Sequence, residues 1–525
     1  MKRRNFLKAS SILPLGIGGF GIKNLSATPF LASLGLKAAT NDKILVLIQL
    51  SGGNDGINTI IPLDQYTNLS KARSNVLITE SEVLKLTGTT KTGLHPAMTE
   101  VRSMYDNGLV NIVQSAGYPK PNFSHFRSTD IWHSGSDSDE NWETGWLGRA
   151  LNEEFPGYPT GYPTQDMPDP LALGIGTFST VTQGPTNQMG IGVSNPATVY
   201  NLINGNTDTP PNSNYGKELT YIRLVNDQTN VYTQAIKAAN DKGKNLSTKY
   251  PTGGRNNSLG EQLKIVARLI NGGLKTKVYM VSIGGFDTHA TQVDASDHKV
   301  GAHANLLKTL SDSIGAFQDD IQLLGLDDRV AGMTYSEFGR RIMSNLSGGT
   351  DHGAAAPMIT FGKNVQGGIL GNSPVIPDTV QIKDNLPMQF DMRQVYASAI
   401  KDWFGITGTK LTNVMGGKSF DILPIFKGSN VSIKDFEDIV SNIKIYEPFP
   451  NPAGDEVNLK FKTDGGTITI SVFDPLGNLV KIAFRGRVAS GEIVKSFSLA
   501  GLSSGNYFIQ LAQGNSRVSS VIIKN

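Results

Sequence analysis

Lys43-Ile44-Leu45-Val46-Leu47-Ile48-Gln49-Leu50 runs directly into Ser51-Gly52-Gly53-Asn54-Asp55-Gly56. An apolar run of this length, with almost no alternation, reads as a strand buried on both faces, as in a parallel sheet covered by helices on each side. The glycine-rich stretch behind it is the loop leaving the strand's C-terminal end, where sites in such sheets form. Outward from this unit the pattern repeats. Pro96 to Asn107 reads as a helix with proline in its first turn, and Leu109 to Gln114 as the next strand. Ser258-Leu259-Gly260-Glu261 fits a capping box opening a helix to Asn271, followed by a strand from Lys277 to Ile283. Gly301 to Leu324 is a long helix, and Arg329 to Thr334 and Met358 to Phe361 are further strands. The expected fold class is therefore α/β, a mostly parallel sheet with helices on both faces, over residues 41–425. Residues 155–215, rich in Pro, Gly, Asn and Thr, read as an irregular insertion, and Lys217 to Lys244 as a return to helix.

The chain has 525 residues, 38% of them hydrophobic and 18% charged, with a formal net charge of +3. That balance offers a polyanion nothing to bind, so no nucleic-acid partner is expected. With no cysteine, disulfides, thiolate zinc sites, iron–sulfur clusters and a cysteine nucleophile are all excluded. Seven histidines and 58 glycines are the informative minority.

Both ends differ from the middle. Met1-Lys2-Arg3-Arg4-Asn5-Phe6-Leu7-Lys8, followed by an apolar, glycine-rich stretch from Ile12 to Ile22, resembles a twin-arginine export signal with cleavage after Ala27 or Ala32. Residues 1–40 are thus an expected leader addressed to the twin-arginine translocase. The apolar stretch is about half the length a spanning helix needs, so no permanent membrane span is expected. From Ile443 onward, short alternating runs such as Thr467-Ile468-Thr469-Ile470-Ser471-Val472 lie between Gly/Asp/Asn turns, the pattern of a small all-β sandwich. Tyr446 to Pro452, Phe473-Asp474-Pro475-Leu476-Gly477, Leu502 to Tyr507 and Val521-Ile522-Ile523-Lys524-Asn525 together resemble a C-terminal sorting domain of the Bacteroidota type IX secretion system. The resemblance implies the type IX machinery as partner and an extracellular or outer-membrane surface location. Residues 426–442 read as the linker, and a carbohydrate-binding or adhesive module is the other reading of a β tail.

Four strand-end regions carry residues able to do chemistry. Asp55 follows the first strand. In Pro121-Asn122-Phe123-Ser124-His125-Phe126-Arg127, a serine opens a helix, where free N–H groups favour anions and would stabilise a serine alkoxide, although such a serine is most often only a cap. Gly284-Gly285-Phe286-Asp287-Thr288-His289 offers a carboxylate and an imidazole to one cation. His298 and His303 beyond it are expected on the solvated side of the next helix. The fourth region holds Ser336-Glu337-Phe338-Gly339-Arg340-Arg341 and Gly349-Thr350-Asp351-His352-Gly353.

These segments, with Gly145-Trp146-Leu147-Gly148-Arg149, resemble a bacterial family designated domain of unknown function 1501. That family in turn is similar to a distant branch of the alkaline phosphatase and sulfatase superfamily, which implies an alkaline-phosphatase-like fold, a pair of divalent metals and a hydroxyl nucleophile at a helix start. Carried onto this sequence, Ser124 takes the nucleophile position and Asp55 that of the first-strand metal aspartate. Asp287, His289 and His352 would hold one divalent metal, zinc, calcium or magnesium. Glu337-Phe338 stands where the superfamily has Asp-His, so a second metal would have to use Glu337, or Asp351 if Asp351-His352 is the displaced pair. Arg127 and Arg340 are expected to clamp anionic oxygens. Ser124-His125-Phe126-Arg127 lacks the arrangement that accompanies formylglycine formation, which disfavours a true sulfatase. The expected function is an exported, hydrolase-like protein cleaving a phosphate or related ester of a small anionic substrate. The alternative is a non-catalytic surface binding or assembly protein with a degenerate metal site.

Overall fold

In a computed structural model, the structure describes residues 41–176, 179–197, 231–251, 258–428, 443–463, 465–513 and 516–525, with Pro211, Ser213 and Leu219. The expected twin-arginine leader and most of the expected 426–442 linker lie outside the described residues. Nine strands form the main sheet: β1 (Ile44–Ser51), β2 (Val110–Gly117), β3 (Ala172–Ile175), β4 (Gly190–Val193), β5 (Val278–Gly284), β6 (Val330–Tyr335), β7 (Ala356–Phe361), β8 (Gly368–Leu370) and β9 (Phe390–Asp391). Their order is β8-β2-β7-β6-β1-β5-β3-β4, with β9 pairing β2. Every pair is parallel except the two made by β7, which runs against β2 and β6.

The central strand explains the layering. Leu45 and Leu47 of β1 enter one core with Trp132, Met333 and Tyr396, while Ile44, Val46, Ile48 and Leu50 enter the opposite core with Leu263 and Ile314. Each of these β1 side chains is essentially fully buried, and each contributes about 1.5–3 kcal/mol over an exposed one. A strand apolar on both faces demands cover on both. The second core is closed by α1 (Thr99–Asp106), α3 (Leu259–Asn271) and α4 (Ala302–Leu323); the first is closed in part by α2 (His125–Ser134).

Ser258 caps α3 by accepting the Glu261 N–H, as expected. Helix α1 starts three residues later than expected, at Thr99, because Pro96 lies in a turn in which His95 accepts from Ala97 and Met98. Ser311 of α4 then accepts the N–H groups of Glu100 and Val101. Residues 155–215 are not wholly irregular: β3 and β4 lie within them and extend the sheet beyond β5. Of Lys217 to Lys244, residues 231–242 are helical, and the earlier part lies outside the described residues apart from Leu219, which is also helical.

From residue 443 the chain is all β. A three-stranded and a four-stranded antiparallel sheet share one apolar core built from Val457, Leu459, Phe461, Ile468, Ile470, Val472, Ile509 and Leu511. This is the expected sandwich. Among the described residues no helix is long and apolar enough to cross a membrane.

Candidate metal centre

Register brings the functional loops to one edge of the sheet. Ser51 stands beside Gly284 and Gln49 beside Tyr335, so β1, β5 and β6 end together. The antiparallel β7 begins there, just after a hairpin formed by Arg340–Ser344 and Thr350–His352. The loops close on one another because Gly52 and Gly53 have positive φ angles of 121° and 78°. A Cβ on Gly52 would stand 2.4 Å from the Asp287 nitrogen, and one on Gly53 would stand 2.2 Å from the Phe338 ring.

Asp287 is the hub. His352 Nε2 lies 3.1 Å from its Oδ1, His289 Nε2 3.2 Å from the same oxygen, and His125 Nε2 3.5 Å from Oδ2. The Nδ1 atom of each ring is held by the protein. His125 Nδ1 meets Glu337 Oε1 at 2.9 Å, His352 Nδ1 the Phe123 carbonyl at 2.8 Å, and His289 Nδ1 Asp351 Oδ1 at 3.1 Å. All three partners are oxygen acceptors, so Nδ1 carries the proton, and in the neutral ring Nε2 presents a lone pair. Three lone pairs thus face one carboxylate. That arrangement repels itself unless a cation lies between them or the rings are protonated, and it is the pattern by which proteins orient metal-binding histidines.

His125, Asp287 and His352 each supply one donor atom within 4.8 Å of the others, and Asp287 and His289 remain nearly half exposed. Zinc bonds of about 2.0–2.1 Å in tetrahedral geometry put donors about 3.3 Å apart, and here each imidazole reaches a different oxygen of Asp287, His352 Nε2 to Oδ1 at 3.1 Å and His125 Nε2 to Oδ2 at 3.5 Å. Burial acts to raise the Asp287 carboxyl, but the hydrogen bond and charge of Arg340, joined by a hydrogen bond from His352 when that ring is protonated at both nitrogens, outweigh it and hold the group down at about 2. Burial lowers His352, against bonds to Phe123 and Asp287 that favour its charged form.

Of the expected metal residues, Asp287 and His352 belong to this three-residue cluster, and His289 adjoins it. Asp55 does not: it is fully buried, its two oxygens paired with Arg73 at 3.1 Å each, with Gln292 donating at 2.7 Å. Glu337 and Asp351 grip the outer nitrogens of His125 and His289. Neither arginine is placed as an anion clamp. Arg127 donates to the carbonyls of Asp137, Ser138 and Glu140. Arg340 is buried and spends its guanidinium on carbonyls of Gly52, Gly53, Phe286 and Thr350 and on Asp287 Oδ1 at 2.7 Å. Glu337 pairs with neither arginine; its Oε1 also accepts the Gly52 N–H at 2.8 Å. Ser124 is the N-cap residue of α2, exposed, with no side-chain capping bond.

His125 is the residue that sequence reasoning missed. It was legible only as the neighbour of Ser124, and its role depends on Glu337, 212 positions away. Phe338, the residue unable to ligate, packs its ring against His125 and His352 at centroid distances of 4.9 and 4.4 Å.

His303, expected in solvent, is buried, with Nε2 2.9 Å from Asn54 Oδ1 and no partner for Nδ1. Burial drives it down to about 4, and likewise His133, which contacts the Tyr335 hydroxyl at 2.7 Å. Both folded values lie below the unfolded value, so between about pH 6.5 and 4 the unfolded chain takes up protons that the folded chain refuses. Stability contributed by neutral His303 and His133 is present above pH 6.5 and lost as pH falls through that window, by about 3 kcal/mol each. Urea unfolding with a chelator present checks this: the midpoint at pH 4.5 is expected well below that at pH 7, and equal midpoints would contradict it.

The family described as Protein of unknown function (DUF1501) matches residues 112–416, and Secretion system C-terminal sorting domain matches residues 447–525. No curated protein matches the sequence. Among solved structures, the chain is similar to a protein of the Bacteroides thetaiotaomicron locus for glycosaminoglycan metabolism, at 9% identity over 92% of this chain and 89% of that one, with a TM-score of 0.36. It is also similar to the PsFucS1 sulfatase of Pseudoalteromonas sp., at 9% identity, 89% and 85% coverage and a TM-score of 0.32. A protein in the alkaline phosphatase superfamily from Vibrio parahaemolyticus matches at 9% identity, 91% and 78% coverage and a TM-score of 0.33. The sorting domain indicates secretion to the cell surface or beyond. With more than half of its length matched, the chain belongs to the DUF1501 family and ends in a type IX sorting domain.

Proposed function

We propose that this protein is an exported, metal-dependent hydrolase of a phosphate or related ester, with zinc held by His125, Asp287 and His352. The observation that carries the reading is the convergence of three Nε2 atoms on Asp287 while protein acceptors hold every Nδ1. Two imidazoles and one carboxylate suit zinc better than calcium or magnesium, which prefer all-oxygen sets. Zinc bound there would polarise an ester oxygen as a Lewis acid.

The rest falls to the chain's own residues. Ser124 is the nucleophile, one position before His125 and one after Phe123, whose carbonyl orients His352. The N–H groups of His125, Phe126 and Arg127 precede the first bond of α2, from Ser128 to Ser124 O at 2.8 Å, and so receive anionic oxygens. Ser124 Oγ attacks phosphorus and gives its proton to water. The bond to the leaving oxygen breaks, that oxygen keeps the electron pair and takes a proton from water, and a second water cleaves the serine ester. Arg340 acts by fixing Asp287 and the glycine loop. A twin-arginine leader delivering a folded, metal-loaded chain fits the same reading.

The full-length protein with zinc is expected to hydrolyse p-nitrophenyl phosphate and to lose that activity on chelation, regaining it when zinc is restored. Activity indifferent to chelation contradicts the reading. Zinc binding without any ester cleavage favours the binding-protein alternative, to which the Arg340–Asp287 pair also lends itself.

A further inference from the structure

Resting on the hydrolase reading, we infer that the substrate is a phosphate ester of an acyl-chain lipid, met at a lipid surface on which Phe126, Leu346 and Ile382 seat the candidate centre.

Among the described residues, Leu346, Phe126 and Ile382 are the three most exposed large apolar side chains, at 106%, 87% and 68%. Such side chains scattered singly need no explanation, but these three are gathered round one site. Phe126 directly follows His125 in the first turn of α2. Leu346 directly follows Asn345, whose side-chain amide donates to the His289 carbonyl at 2.8 Å and to Asp351 Oδ1 at 3.1 Å. The Ile382 carbonyl accepts from Arg341, which also donates to the His352 carbonyl at 3.2 Å. No more than one intervening residue separates any of the three from a histidine of the site. All three belong to the α/β body and none to the sandwich.

Their exposure is held in place by the fold. Asn345 Oδ1 accepts the N–H groups of Ser347 and Gly349 at 3.0 and 3.1 Å, so the hairpin tip is pinned from within and presents Leu346 outward. Helix α2 buries Ser128, Ile131 and Trp132, and Phe126 stays out of that core. A polar side chain at any of the three positions would serve the folded chain equally, so their apolar character points to an occupant outside it. Three separate side chains fall well short of the roughly 800 Å² per partner that a specific protein interface buries. Fluid acyl chains take up apolar side chains one at a time and need no matched surface.

Location and charge agree with that occupant. The sorting domain sends the chain to the cell surface or beyond. A lipid phosphate is the anion that the α2 N–H groups and a zinc ion would receive, and exposed Lys383, beside Ile382, adds positive charge at the rim. Ser124 Oγ then bonds to phosphorus and the bond to the glycerol oxygen breaks. That oxygen keeps the electron pair and takes a proton from water, diacylglycerol stays in the lipid, and a second water releases phosphate from the serine.

The test uses the chain without its expected leader, residues 42–525, which form one compact unit. Loaded with zinc, it is mixed with vesicles of four parts phosphatidylcholine to one part phosphatidic acid, then sedimented. The parent is expected to sediment with the vesicles and to release phosphate from them. The double variant Leu346→Ser/Ile382→Ser is expected to bind the vesicles at least about tenfold more weakly, having forfeited the transfer of two apolar side chains. Its hydrolysis of soluble p-nitrophenyl phosphate is expected to stay that of the parent, which also reports an intact fold. Phe126→Ser is expected to weaken vesicle binding to a similar degree. A parent that stays in the supernatant, a double variant that binds as the parent does, or cleavage of p-nitrophenyl phosphate but not of phosphatidic acid overturns the inference while the hydrolase reading stands. Cleavage of neither ester by the zinc-loaded chain overturns that reading and the inference with it.

Discussion

Ser124→Ala is expected to lower ester hydrolysis by at least about a thousandfold while zinc content and melting temperature stay those of the parent. On the proposed reading Ser124 is the nucleophile, and its loss removes the step on which the rest of the site depends, so the expected effect on rate is large. The effect on the fold is small for a reason visible at the residue. Ser124 is exposed and its hydroxyl makes no capping bond, so the usual penalty of about 1 kcal/mol for a lost cap does not apply. What Ser124 contributes to the loop comes from its backbone, whose N–H donates to Asn122 at 2.9 Å, and alanine keeps that bond. Retained activity with intact zinc would mean that bound water attacks directly and that Ser124 is only a helix start.

Arg73→Met is expected to destabilise the fold by about 3–5 kcal/mol, the cost of stranding a buried charge. Arg73 and Asp55 are both fully buried and meet through two 3.1 Å contacts. Burial works to raise the Asp55 carboxyl, but Arg73 and His303, with hydrogen bonds from Arg73 and Gln292, hold it below the ordinary range. Without the guanidinium, the remaining donors are Gln292 and the Asn58 N–H. The double variant Arg73→Met/Asp55→Asn is expected to recover a substantial part of the loss, as measured by urea unfolding at neutral pH. If Arg73→Met alone shifts stability by less than about 1 kcal/mol, the pair is not the anchor of the first glycine loop.

Much of the architecture was readable in advance, for physical reasons that also mark where reading stopped. Lys43 to Leu50 announces a two-faced buried strand because both parities are apolar, and α4 is long enough for its periodicity to show. By contrast, β3 and β4 are four residues each and contain glycine, too short for any period to appear. The Met358 to Phe361 run was evident as a strand, but hydrophobicity carries no direction, and β7 proves antiparallel. The gathering of Asp287, His289 and His352 at one sheet edge follows from glycine-flanked strand ends, and that part was legible. Which imidazoles face inward was not, because that depends on outer partners remote in sequence: Glu337 for His125, Asp351 for His289, Phe123 for His352. Long side chains misled most. Arg127 and Arg340 sit beside the site in sequence, yet both turn their donors to backbone carbonyls. Asp55 follows a strand as a ligand would, but its partner Arg73 marks it as structural.

Zinc titration of metal-free full-length protein shows directly whether His125, Asp287 and His352 hold a zinc ion. One equivalent per chain is expected to bind the parent, with affinity lowered at least about tenfold in His125→Ala and in His352→Ala. A parent that binds well under one equivalent, or a His125→Ala variant that binds as the parent does, would contradict the account.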